Sequence, residues 1–126
     1  MTSQFAHAAG HLAVLIAPAL LAWAAWIEEP LLVFGAVMLA FPLARIAFGA
    51  VDEAGPPAWS EGIAAALDRL PWVYTAVLAG AVLTLLLVIS RSEPTMGTVA
   101  GWALSLWVTM VFATCVAHEL LHRKRK

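Results

Sequence analysis

The sequence has few charged residues and a single cysteine, and each scarcity excludes a class of protein. Charged residues make up 12% of the 126 positions and hydrophobic residues 63%, whereas a soluble domain has roughly 25% charged and 45–50% apolar residues. A chain of this size cannot hide so much apolar surface in a core of its own, so a soluble globular domain is excluded. One cysteine, Cys115, excludes an intrachain disulfide. A formal net charge of -1 gives no bulk electrostatic attraction to nucleic acid.

Four apolar stretches predict four transmembrane helices, at about residues 8–27, 31–50, 71–89 and 97–117. Each is near the roughly 20 residues that a helix needs to cross about 30 Å of hydrocarbon. No stretch shows the alternation from which a transmembrane barrel is built. The N-terminus has neither the basic region nor the cleavage site of a secretory signal, so the first stretch is expected to be retained. We therefore expect an all-α integral membrane protein with one membrane domain over residues 1–126.

The connection between the second and third stretches is longer than the other two. It begins with a breaker-rich segment at residues 52–57. Residues 60–70 then place Ile63, Leu67 and Leu70 on one helical face, with charged side chains away from it. This pattern predicts a short amphipathic helix in the membrane interface between the second and third transmembrane helices.

The distribution of basic residues predicts the orientation in the membrane. Residues 123–126 read Arg-Lys-Arg-Lys, and such clusters remain on the cytoplasmic side. With four crossings, both termini of this multi-pass protein are then cytoplasmic, and we expect it in the cell inner membrane.

The residues with recognisable chemistry are His118-Glu119-Leu120-Leu121-His122. Residues four apart lie on one face of a helix, so His118 and His122 can direct two imidazoles at one metal ion. Imidazole suits zinc, iron, copper and nickel, so the pair alone does not identify the metal. Glu119 lies on an adjacent face, where it would act as a base, a supporting hydrogen-bond partner or a further ligand. The ordinary alternative is a helix end whose two histidines meet the lipid headgroups.

Residues 117–123, Ala-His-Glu-Leu-Leu-His-Arg, resemble the first histidine box of alkane 1-monooxygenases, His-Glu-Leu-x-His-Arg/Lys. These belong to a membrane di-iron family with xylene monooxygenases and fatty-acid desaturases and hydroxylases. The box follows about four membrane helices there, as predicted here; the rest of the chain is similar in hydropathy pattern only. The resemblance implies a cytoplasmic non-haem di-iron site with His118 and His122 among its ligands. It also implies O2-dependent hydroxylation of an alkane or acyl chain from the lipid phase, with electrons from a rubredoxin or ferredoxin.

The family's later histidine boxes are not found in this sequence, whose other histidines are His7 and His11. We therefore expect the chain to be the N-terminal part of such an enzyme, through the first box, and to be inactive alone. His7 and His11 are also four apart and on the same predicted side, so a four-histidine site is conceivable; the ordinary interpretation is an interfacial pair. Cys115 shares the face of His118, and we expect it to pack rather than to bind metal.

Two other interpretations remain open. His-Glu-x-x-His is also the zinc motif of metalloproteases, with the Glu activating water, although no acidic residue is convincingly arranged as the third ligand. A non-catalytic small membrane protein would instead assemble through small residues that allow close helix contact. Ala76 with Gly80, and Gly97 with Gly101, have that spacing. Arg45, near the end of the second stretch, would extend to the interface or make a polar contact near the site.

Overall fold

The computed structural model describes residues 11–48 and 59–122, and at positions 41, 44, 45, 47, 48 and 119–122 it describes the helix but not the side chain. A 3₁₀ turn at Ala13–Leu15 leads into α1 (Ile16–Trp26). The other helices are α2 (Leu32–Phe48), α3 (Glu61–Arg91) and α4 (Met96–His122). The described residues contain no strand, which confirms the all-α prediction.

Two of the helices are long and apolar enough to cross a membrane. They are Glu61–Arg91 and Met96–His118, whose most apolar windows have a mean hydropathy of 2.3 and 1.8. The described parts of the other two are shorter: α1 has 11 residues, and the 17 described residues of α2 extend about 26 Å at 1.5 Å per residue.

The structure corrects one predicted element, the separate interfacial helix at residues 60–70. Residues 61–70 are the beginning of α3, which continues through Pro71 without a break for 31 residues. A boundary was expected because proline lacks a backbone N–H and costs about 3 kcal/mol inside a helix. Pro71 is buried among neighbouring helices, and the Thr75 hydroxyl donates to the Pro71 carbonyl at 2.9 Å. Packing in the bundle maintains one continuous helix where the sequence pattern suggested two.

The turn between α1 and α2 is tight and uses an unusual residue. Glu28 has φ 58°, the left-handed conformation that glycine normally supplies at the end of a helix. The N–H of Glu29 donates to the Ala24 carbonyl at 2.9 Å and that of Glu28 to the Ala25 carbonyl at 3.3 Å. These two bonds form a Schellman motif, so the turn is closed by hydrogen bonds despite the side chain at position 28.

All four helices contribute to the core, which lies toward the two short turns. Small alanine side chains on α1 allow that helix to lie close to α3, and Trp102 of α4 belongs to the same core. The core residues are Leu21, Ala24, Ala25, Val33, Ala81, Leu85 and Trp102.

Contacts along the bundle establish which helix ends lie together. Leu85 of α3 and Trp102 of α4 share the core, and Tyr74 of α3 bonds to Thr109 of α4, so these helices are antiparallel. His11, before α1, contacts Trp59, before α3. We call the end with residues 27–31 and 92–95 the turn end. We call the opposite end, with His11, Glu61 and residues 118–122, the motif end.

One member of the two small-residue pairs, Gly101, makes a close contact within the described chain. A Cβ added to Gly101 would lie 3.0 Å from the Pro30 Cβ and 3.3 Å from the Leu31 Cγ, so glycine lets α4 contact the α1–α2 turn. A Cβ on Gly80 would meet nothing within 4 Å, and Ala76 beside it is exposed. The Ala76–Gly80 pair therefore makes no close contact within the described chain.

Candidate metal centre

Helix α4 carries the histidine motif at the motif end of the bundle. It is continuous from Met96 to His122, so positions 118 and 122 are one turn apart on one face. His118 is exposed. The structure does not describe the side chain of Glu119 or that of His122, which is the second predicted ligand. The helical spacing on which the prediction depends is therefore present in the backbone.

Other candidate ligands at the motif end are dispersed. Cys115, three residues before His118, is exposed, and Glu61 and Asp68 of α3 are exposed at the same end. Among the side chains that the structure describes, no three of His, Cys, Asp and Glu form a group that could hold a metal ion. The fit to an iron pair thus consists of two correctly spaced imidazole positions, and further ligands are needed from residues outside this described set.

His11 lies at the same end as His118, as the predicted topology requires. Its ring packs edge to face against Trp59, with centroids 5.8 Å apart and an interplanar angle of 73°. His7, its predicted partner, lies outside the described residues, as do Asp52 and Glu53 of the middle connection. The contact with Trp59 favours a packing role for His11 over a place among metal ligands.

An apolar groove between α2 and α4 was not anticipated from the sequence. Its volume is about 330 Å³, and it exposes no polar surface. Met38 and Pro42 line it from α2, and Trp107, Val111 and Phe112 from α4. Phe112 is six residues before His118, which is about 9 Å along the helix at 1.5 Å per residue. Because the pairing of α2 with α4 is a tertiary feature, no local pattern in the sequence places Pro42 and Trp107 beside one groove.

Arg45 belongs to α2, but its side chain lies outside the described ones, so the proposed polar contact near the site stays a prediction.

Comparisons with protein-family models, with curated proteins and with solved structures find no match for this chain. The functional argument therefore depends on the motif, the helix that carries it and the groove beside it.

Proposed function

We propose that this chain provides the membrane helices and the first histidine pair of a non-haem di-iron enzyme related to alkane 1-monooxygenases and fatty-acid desaturases. The observation that carries the proposal is the His-Glu-Leu-Leu-His sequence on an unbroken helix, with His118 exposed at the end of an apolar four-helix bundle. The substrate class is an alkane or acyl chain, and the electron donor a rubredoxin or ferredoxin.

The distribution of charge on α3 supports a membrane location. On α3, residues 70–90 contain no charged side chain, and they extend about 31 Å at 1.5 Å per residue, close to the hydrocarbon thickness. Arg69 and Arg91 bound this segment. Large apolar side chains face outward around the bundle, among them Trp26, Ile46 and Trp72 at 80%, 81% and 76% exposure. Lipid is the solvent that makes such exposure favourable.

The same charge distribution supports a position of the motif at a membrane boundary. Because α3 and α4 are antiparallel, the end of α4 lies near the level at which α3 becomes charged, at Asp68 and Arg69. We propose that this is the cytoplasmic surface and that both termini are on that side, in agreement with the basic residues at 123–126. A site there meets a soluble electron donor on one side and the hydrocarbon on the other.

The groove supports an apolar substrate. It adjoins the segment of α4 that leads to His118, and a volume of about 330 Å³ is at the lower end of the range for small-molecule pockets, about 300–1,000 Å³. When bound, an iron pair supplies the O2 chemistry that inserts oxygen into an unactivated C–H bond. His118 and His122 would hold part of it, and the apolar walls would exclude water and orient the chain.

Metal binding tests the ligand assignment. The purified chain should bind one Co²⁺ weakly, because the sequence has four histidines and only His118 and His122 are assigned to the site. His118→Ala and His122→Ala should each lower the affinity at least about tenfold, since half of the imidazole donors are lost. His11→Ala is the matched control and should bind like the wild type. Unchanged affinity in both motif variants would remove the assignment, and two tightly bound irons per chain would contradict the need for further ligands.

The gene downstream of the Lys126 codon distinguishes the enzyme classes. A coding segment with His-x-x-His-His boxes, in any frame, is the expected result. Co-expression of that segment should give membranes that hydroxylate an alkane or acyl substrate with rubredoxin or ferredoxin and its reductase, and His118→Ala should abolish this activity. A downstream helix with a glutamate ligand would favour the zinc metalloprotease instead.

A second candidate, a non-catalytic membrane protein that assembles through its helices, is favoured by one observation. Ala76 and Gly80 present an exposed small-residue surface on α3 that makes no close contact with the described part of the chain. In a Cys115→Ser background, Ala76→Cys would crosslink copies of the chain if this surface mediates assembly. Efficient crosslinking, together with no coding segment downstream, would favour this candidate over the enzyme.

A further inference from the structure

A chain of hydrogen bonds passes through one stretch of α4, residues 105–109. The Ser105 hydroxyl donates to the Pro30 carbonyl at 2.6 Å and accepts from the Phe34 N–H at 3.2 Å. The Thr109 hydroxyl donates to the Ser105 carbonyl at 2.8 Å. The Tyr74 hydroxyl of α3 donates to the Thr109 carbonyl at 3.3 Å. This stretch of α4 is thereby bonded to the α1–α2 turn, to α2 and to α3.

Ser105 acts as a helix cap provided from another helix. The Pro30 carbonyl and the Phe34 N–H are the pair, four residues apart, that would make the first bond of α2. Neither Pro30 nor Leu31 has a side chain that can cap a helix, and the Ser105 hydroxyl bridges the two groups instead. A capping side chain typically stabilises a helix by about 1 kcal/mol. Here the cap also links α4 to α2.

The surroundings of this stretch allow few alternative positions. Ser105 and Thr109 are fully buried, and they are the buried polar residues of the described chain. Gly101, one turn before Ser105, contacts the α1–α2 turn so closely that an added Cβ would lie 3.0 Å from the Pro30 Cβ. A slip of α4 by one turn, about 5.4 Å, would bring Gly97 or Ser105 against Pro30, and in either direction it would separate the Ser105 hydroxyl from the Pro30 carbonyl and the Phe34 N–H.

We propose that the hydrogen bonds of residues 105–109, which we call the axial lock, fix the position of α4 along its own axis relative to α2 and α3. That position in turn sets the depth of His118 in the membrane. Ser105 and Tyr74 are then positioning residues that act through a continuous helix, Ser105 from about 20 Å and the Tyr74 bond at Thr109 from about 14 Å along the axis from His118, at 1.5 Å per residue. The lock itself follows from the hydrogen-bond geometry. Its effect on metal binding rests on the proposed function.

Cys115 is a native reporter for this proposal, because it is the one cysteine, is exposed and lies three residues before His118. The thiol is labelled with bimane in phosphatidylcholine vesicles, and its depth is measured by quenching with lipids that carry spin labels at known depths. Ser105→Ala and Tyr74→Phe should each shift the label by at least one residue's rise, about 1.5 Å. Ser105→Thr, which keeps the hydroxyl, should restore the wild-type depth.

Thr84→Ala is the matched control, because the Thr84 hydroxyl bonds only to the Gly80 carbonyl of its own helix, at 2.9 Å, and is exposed to the surroundings of the bundle. It should leave the depth of Cys115 unchanged. An unchanged depth in Ser105→Ala overturns the lock. If Ser105→Ala does not fold, Tyr74→Phe decides: a shifted label supports the lock, and an unshifted one overturns it.

Co²⁺ affinity measured on the same samples separates the lock from the proposed function. A shifted label with altered affinity supports both. A shifted label with unaltered affinity supports the lock and counts against a metal site at His118. An unshifted label overturns the lock, whatever the metal affinity.

Discussion

The turn end and the motif end contain the same apolar residue types but differ in how α4 is packed. Near the turn end, α4 buries Gly101, Trp102 and Ser105 against the rest of the bundle, and hydrogen bonds between helices accompany this burial. Near the motif end, Cys115 and His118 of the same helix are exposed. One end is a packed scaffold, and the other leaves surface for a ligand, a lipid or a further protein segment to cover.

The largest effect on the free energy of unfolding is expected when a leucine at each end is replaced by alanine. Leu21→Ala should lower the free energy of unfolding in detergent by about 2 kcal/mol or more, because it leaves a cavity in a packed core. Leu43→Ala, on α2 toward the motif end, should change it by less than about 0.5 kcal/mol, as is usual at exposed positions. Leu21 is 0% and Leu43 61% exposed. Titration with sodium dodecyl sulfate, followed by circular dichroism, measures both; equal losses would contradict the difference in packing.

Glycine substitutions give the next largest effect. Gly101→Val should destabilise the bundle by about 1–3 kcal/mol, as overpacking does, because its branched side chain meets Pro30 and Leu31. Gly80→Val is the matched substitution at a helix position with open space, and it should cost little. The same titration measures both variants. A tolerated Gly101→Val would show that α4 does not need its close approach to the α1–α2 turn.

Thiol reactivity compares the packed middle of α4 with its exposed part near the motif end. In detergent, native Cys115 should react with a small maleimide at least about tenfold faster than a cysteine at position 108 in a Cys115→Ser background, since a buried thiol reacts only after local opening. Val108 is 3% exposed. Met110→Cys is the control, because position 110 is close to 108 along the helix but 45% exposed. Equal reaction rates at positions 108 and 110 would contradict the burial of Val108.

The smallest expected effect is a gain in stability at the α1–α2 turn. Glu28→Gly should stabilise the bundle by about 0.5–1 kcal/mol, because it removes a left-handed penalty of roughly 1–2 kcal/mol while increasing the entropy of the unfolded chain. Glu29→Gly, at the next position, has no such penalty to remove and should be neutral or destabilising. Thermal unfolding in detergent compares the two. A loss of stability in Glu28→Gly would indicate that the Glu28 side chain makes a stabilising contact.

Much of the architecture was predictable because it depends on local sequence. The apolar stretches predicted a helix in each of the four places, and two of the described helices, α3 and α4, are long and apolar enough to cross a membrane. The spacing of His118 and His122 placed both on one helix face. The boundary at Pro71 was predicted wrongly, because proline is a helix breaker in isolation, and packing against other helices was not visible. The groove beside Trp107 was missed for the same reason: its two walls are far apart in the sequence.

The sequence by itself determined the helices, their apolar surfaces and the histidine spacing, because backbone hydrogen bonds and side-chain period act within a few residues. The tertiary structure decided which polar residues join the helices. Ser105 bonds to residues 71 and 75 positions away, and Tyr74 to one 35 positions away. Such pairs form only when helices pack in a particular register, since a hydroxyl must lie within about 3 Å of its partner. A complete metal site needs ligands beyond His118 and His122. The depth at which α4 holds these two residues is set by its packing register against the neighbouring helices.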